Sequence, residues 1–180
     1  MKLISRMWRA IKLQSALYEE VEADKSANVQ AGLVVVIVAI ATAIGSGLAS
    51  LTAGGFLSAL WSLLIALIGW LLWALVVYII GAKIMKGKRT ESSWGEVART
   101  IGFANSAGVF RILAFIPVLG WIISFIAWIW ILVAGIIGIR AALDFSTWRA
   151  IVTVILGWLV YLALMIVLAI FGFGSAPLPM

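Results

Sequence analysis

From residue 30 onward the chain alternates long apolar runs with short polar interruptions. Five runs, at about 30–51, 56–82, 94–116, 121–139 and 150–171, are long enough for helices that cross a bilayer, which takes about 20 residues. The interruptions carry turn signals. Thr52-Ala53-Gly54-Gly55 joins the first two runs. Ile116-Pro117-Val118-Leu119-Gly120 makes a tight reversal, because proline disfavours helix at the residue before it. The long polar loop runs from Lys83 to Glu96. Its Gly87-Lys88-Arg89-Thr90 lacks the spacing of a phosphate loop, whereas Ser93-Trp94-Gly95-Glu96 fits a capping box that starts a helix near Trp94. The pattern predicts an all-α polytopic membrane bundle, with five transmembrane helices within 29–172. An amphipathic interfacial helix at 1–28 precedes it, and a short external tail at 173–180 follows.

In residues 1–28, at 100° per residue, Ile4, Met7, Trp8, Ile11 and Tyr18 share one side; Lys2, Arg6, Arg9 and Lys12 share the other. Glu19, Glu20, Glu22 and Asp24 follow. One reading is an interfacial helix, with Trp8 at headgroup depth and Arg6 and Arg9 on anionic lipid. The other is a helix packed on the protein's own cytosolic loops. Asp24, Ser26 and Asn28 suit the cap of the next helix.

Small residues spaced by four let helices approach closely where lipid supplies no hydrophobic drive. The first run carries two such ladders, Ala39/Ala43/Gly47 and Ala41/Gly45/Ala49, with Thr42 and Ser46 one turn apart on the same helix. The third run pairs Gly102 with Ser106 and Ala104 with Gly108, and the fourth pairs Ala134 with Gly138. These are the expected packing faces.

Composition agrees with a membrane solvent. Charged residues are 11% of the chain, against about a quarter in soluble domains. The absence of Cys and His removes disulfides, thiol nucleophiles, imidazole bases and the usual zinc and haem ligands, so no cofactor and no metal are expected. Charge then orients the chain. Of the 13 Lys and Arg, five precede the first run, five lie from Lys83 to Arg99, and Arg140 and Arg149 separate the last two runs. The opposite turns and the tail carry none. The positive-inside rule predicts a cytoplasmic N-terminus and an external C-terminus.

Arg111 is the remaining cation. It lies about 18 Å along an α-helix from Arg99, past the bilayer midplane. An intramembrane cation is a candidate functional group. Arg111 either snorkels to outer phosphates or to carbonyls near Pro117, or forms an intramembrane polar or lipid site with Asn105 and Ser106. Those two side chains equally suit interhelical hydrogen bonds. On the cytosolic face, Arg99, Arg140, Asp144 and Arg149 make a candidate interaction surface. Asp144, flanked by two arginines, reads first as a local salt bridge that orients its loop. Trp61, Trp94, Trp121 and Trp148 fall near predicted interfaces, as an aromatic belt does. Apart from Glu96 in the capping box that starts the third run, no run contains an acid, and no acid stands near Ser46 or Ser106 to orient a base. An enzyme or a proton-coupled transporter lacks its chemical groups here.

Several short motifs occur in a fixed order: Glu19-Glu-Val-Glu-Ala-Asp24, then Gly81, Arg99-Thr-Ile-Gly-Phe-Ala104, Phe110-Arg-Ile-Leu113, Ile116-Pro117, and Arg140-Ala-Ala-Leu-Asp-Phe-Ser-Thr-Trp-Arg-Ala-Ile151. In this order and spacing the chain resembles the bacterial branch of the Yip family (Ypt-interacting proteins), five-span membrane proteins related to eukaryotic trafficking factors. It departs in two places. Ala107 and Gly108 stand where a proline often follows the Gly-Phe-Ala element, and the Asp-Leu-Tyr-Gly-Pro region of eukaryotic relatives is absent. The resemblance therefore does not carry GTPase binding to this chain. It implies a non-enzymatic inner-membrane protein of membrane organisation or protein and lipid interaction. The alternative is a small transporter or lipid-handling protein with its polar site around Arg111. Expected partners are membrane lipids, with anionic headgroups on the basic face, and a second copy or another membrane protein; no nucleic acid is expected.

Overall fold

A computed structural model describes residues 2–46, 55–87 and 92–170. These residues form helices and turns, with no strand among them. In chain order the elements are α1 (Leu3–Ile11), α2 (Ser15–Ala23), α3 (Ala27–Gly45), α4 (Gly55–Tyr78) with a π-helical extension (Ile79–Ile84), α5 (Trp94–Ala104), a 3-10 helix (Asn105–Phe115), α6 (Leu119–Ala142) and α7 (Thr147–Ile170). Among the described residues, three helices are long and apolar enough to cross a membrane: Ala27–Gly45, Leu60–Ile84 and Leu119–Ala142. Their outward faces present rows such as Leu64, Ile68 and Leu72, which suit lipid rather than water.

The N-terminal segment is not one helix. Leu13 takes a left-handed conformation (φ 56°), its N–H donates to the Ala10 carbonyl, and the Gln14 N–H donates to that of Arg9. This Schellman closure ends α1 and folds α2 back beside it. Met7, Ala10, Leu17, Tyr18 and Val21 then face the bundle, while Ile4 and Trp8 point away. The apolar stripe of a single helix is thereby split between two surfaces. The Trp130 indole N–H of α6 donates to the Ile11 carbonyl at 2.7 Å, which pins the end of α1 to the bundle.

α3 buries Ala27, Ala31, Val34, Val38, Ala41 and Gly45, the alternating four-and-three spacing of a helical seam. Along this seam Ala31 lies against Gly102 and Val38 against Gly108, and Gly45 abuts the backbone carbonyl of Arg111. A methyl group at Gly45 would overlap that oxygen. The contact surface is thus not the Ala39/Ala43 ladder, which turns toward α4. Gly47 and Ala49 lie outside the described residues.

The segment 94–116 also departs from a single α-helix. The capping box forms as expected: the Ser93 N–H donates to Glu96 Oε2 at 2.8 Å, and the Ser93 hydroxyl accepts from the Glu96 N–H. After Ala104, however, the chain winds as a 3-10 helix for 11 residues, a long run for this geometry. At the junction Asn105 Nδ2 donates to the Ile101 carbonyl (2.9 Å) and the Ser106 hydroxyl to that of Phe103 (2.6 Å). These bonds serve carbonyls where the backbone ladder changes step. Ser106, Ala107 and Gly108 add little side-chain bulk to the narrower coil. At about 2.0 Å per residue instead of 1.5 Å, the segment gains roughly 5 Å of reach.

Two buried clusters hold the bundle. One joins α1, α2, α3, α5 and α6 around Tyr18, Val34 and Phe103; the other joins α4 to α7 around Val77, Ile101 and Leu143. Trp70 packs on both, and its indole N–H donates to the Ala98 carbonyl at 2.9 Å. Gly81, in the π-helical turn, is where Leu143 seats. Before α6, Ile116 is extended ahead of Pro117, and Val118 sits at φ 65°, ψ −53° with the Leu119 N–H bonded to the Pro117 carbonyl at 2.7 Å. That is a classic-type γ-turn, rare and strained for a β-branched residue.

Candidate functional site

Two arginines organise the end of the bundle where α2 meets α3. Each is 4% exposed. Arg99 donates from Nε to the Val21 carbonyl (2.9 Å), from Nη2 to the Glu22 carbonyl, and from Nη1 to Asn28 Oδ1 (2.9 Å). It thus takes up the last carbonyls of α2, where the helix dipole is negative. Arg6 donates to Glu20 Oε1 (2.9 Å), Gln30 Oε1 (3.0 Å) and Asp24 Oδ2 (2.7 Å). Burial works against its charge, but the bonds to Asp24 and Glu20 outweigh burial and raise its pKa. Asp24 is held at about 2 by the Ser26 hydroxyl and Arg6. Glu22 is pushed up to about 7, first by burial and then by Asp144 and Glu96, with Arg99 opposing.

These bonds correct several expectations. Arg6 faces inward and is not a lipid contact, because its donors are used on α2 and α3. Arg9 binds Glu20 and Gln14 in the same network. Trp8 is exposed, with the Lys12 ammonium 5.3 Å from its ring centre. Arg99 is consumed internally and offers nothing to a partner. Arg140, Asp144 and Arg149 are exposed. Asp144 makes no ion pair with either arginine; it ends α6 in a left-handed conformation (φ 50°), with the Phe145 N–H on the Arg140 carbonyl. Backbone geometry, not a salt bridge, orients that loop. Gly102, Gly108 and Gly138 sit at close approaches, to Ala31, Val38, and Tyr18 with Thr100.

A cavity of about 720 Å³ lies between α3 and α4, with Ile101, Asn105 and Arg111 contributing from α5 and the 3-10 helix. Val35, Ile40, Leu63, Trp70 and Trp73 give it apolar walls; Thr42, Ser46, Ser62, Asn105 and Arg111 supply its polar groups. Arg111 is half-buried and, among the described residues, makes no ion pair and no side-chain hydrogen bond. Ser106 does not join the cavity: its side chain is fully buried and bonded to Phe103. The 3-10 winding explains this sorting. With three residues per turn, Asn105, Gly108 and Arg111 stack in one row, whereas α-helical winding would set Asn105 and Arg111 about 120° apart. The neighbouring row, Ala107, Phe110 and Leu113, lines a separate apolar pocket of about 330 Å³ beside Trp130. Thr42 and Ser46 were visible in sequence as a polar pair one turn apart. Ser62 carried no such signal.

No curated protein and no solved structure matches the chain. Residues 14–170 match the family described as Yip1 domain, and the chain belongs to that family.

Proposed function

We propose that this protein is a non-enzymatic membrane protein that holds a lipid within its helix bundle. The observation that carries this reading is the cavity between α3 and α4. Its volume of about 720 Å³ falls among ligand sites, and its walls are apolar with a few convergent polar groups. The rest of the bundle closes tightly through Gly45, Gly102 and Gly108, so the opening is not a product of loose packing overall. The one-sided charge supports a cytoplasmic N-terminus. Five crossings follow if residues 94–116 traverse as α5 plus the extended 3-10 helix and α7 makes the last pass. A second reading, membrane organisation through the basic face, is favoured by the exposed Arg140, Trp148 and Arg149.

The test is lipid retention. Protein purified in mild detergent is extracted and its lipids quantified, beside variants Ala39→Phe and Ala66→Phe that fill the cavity. About one retained lipid per chain, lost in folded variants, is expected. Equal retention by the filled variants would contradict the reading.

A further inference from the structure

We infer that the cavity takes an anionic amphiphile, with its head on Arg111 and its chain running back between α3 and α4 toward Trp73. This rests on the lipid-binding reading above and adds the ligand's charge and orientation.

The cavity is graded along its length. On α3 its wall runs from Val35 to Ser46, and on α4 from Trp73 to Ser62. Both stretches span about 16 Å of helix. At the end nearest the Arg99 clasp the lining is Val35, Trp70, Trp73 and Ile101, and at the other end Ser46, Ser62 and Arg111 stand beside Ile44 and Leu63. A polar head joined to a hydrocarbon chain fits that gradient, whereas a compact polar solute would leave the tryptophan end unmatched.

The charge of the head follows from the donors. Arg111 is the cation on the cavity wall, and no carboxylate pairs with it among the described residues. Even half-buried, a guanidinium without acceptors bears a desolvation cost, so an acceptor from outside the chain is favoured. Thr42 and Asn105 already donate to the carbonyls of Val38 (2.8 Å) and Ile101 (2.9 Å). The guanidinium is therefore the principal donor for a phosphate or carboxylate, which its planar fork binds through two parallel bonds. The 3-10 row aims it: Gly108 fits against Val38, and the Arg111 carbonyl lies on Gly45, so the backbone is fixed on α3 while the side chain reaches the cavity. The head lies at the end away from the Arg6 and Arg99 clasps, so the ligand enters from the leaflet opposite the N-terminal hairpin.

The test is a titration of delipidated protein in neutral detergent, read by native mass spectrometry. The probes are phosphatidylglycerol, phosphatidylcholine, oleate and inorganic phosphate, on the wild type, Arg111→Lys and Arg111→Gln, with helicity checked for each. The wild type is expected to bind phosphatidylglycerol or oleate about tenfold more tightly than phosphatidylcholine, and inorganic phosphate far more weakly. The stronger of the two anionic probes identifies the head as phosphate or carboxylate. Arg111→Gln should erase the charge preference and Arg111→Lys should keep part of it. Equal wild-type affinity for phosphatidylglycerol and phosphatidylcholine overturns the inference even if the variants misfold, and so does a preference that survives in Arg111→Gln. Phosphate binding as tightly as the amphiphiles removes the chain from the proposal. Failure of every lipid to bind overturns the underlying lipid-binding reading instead.

Discussion

Arg99 and Arg111 sit on consecutive helical segments, α5 and the 3-10 helix that follows it, yet they are treated in opposite ways. Arg99, with Arg6 beside it, is buried and bonded to acceptors that the chain itself supplies. Arg111 is half-buried beside an open cavity and has no such acceptors among the described residues. A guanidinium answered from within is structural, because its removal strands carbonyls and carboxylates. One left unanswered adds little to the free protein and much to a complex. The contrast sets a guanidinium bound into the fold about 20 Å along the helix from one left without acceptors among the described residues.

The largest effect should come from breaking the clasp. Arg99→Leu leaves the Val21 and Glu22 carbonyls and Asn28 without their donor and should cost about 3 kcal/mol, read as a lowered unfolding midpoint. The same change at Arg111 in delipidated protein should shift the midpoint little or raise it. Equal losses at both sites would erase the distinction. Next, Gly45→Ala should cost about 2 kcal/mol, because its methyl would overlap the Arg111 carbonyl oxygen and push the 3-10 helix off α3. Thermal melts check this.

Smaller effects sharpen the same boundary. Val118→Gly should stabilise by about 1 kcal/mol, since glycine accepts a positive φ without the steric strain valine bears. A midpoint that falls instead would show that the valine side chain matters more than its backbone strain. At the clasp, Glu22 has a folded pKa of about 7, above the unfolded value of about 4.3. The native state therefore binds its proton more tightly. Its contribution is complete below about pH 4 and is lost as pH rises through 7. Asp24, held at about 2, acts in the opposite sense and loses its contribution only as pH falls through that value. Glu22→Gln should flatten the dependence of the melting midpoint between about pH 4 and 7, and an unchanged slope would remove Glu22 from the account.

Much of the helical scaffold was legible because apolar runs are local quantities. Ser93 and Glu96 announced their cap, and Ile116-Pro117 announced the end of a helix. The break at Leu13 was not legible, since a left-handed leucine carries none of glycine's signal; its side chain packs against the core. The same holds for Asp144, whose neighbouring arginines suggested a salt bridge while its backbone did the work. The site was half visible. Arg111 and Asn105 stood out by residue type, but α-helical geometry places them apart, and it is the unforeseen 3-10 winding that aligns them and turns Ser106 away. Ala39 and Ala43 read as a packing ladder because small residues serve close contact and cavity walls equally well.

The most direct measurement is an experimental structure in a lipid bilayer containing phosphatidylglycerol, with the region around Arg111 as its focus. The account predicts an anionic head bonded to the Arg111 guanidinium and a chain extending between α3 and α4 to Trp73. A guanidinium bonded instead to the carbonyls near Pro117, with the cavity closed or holding only water, would contradict it.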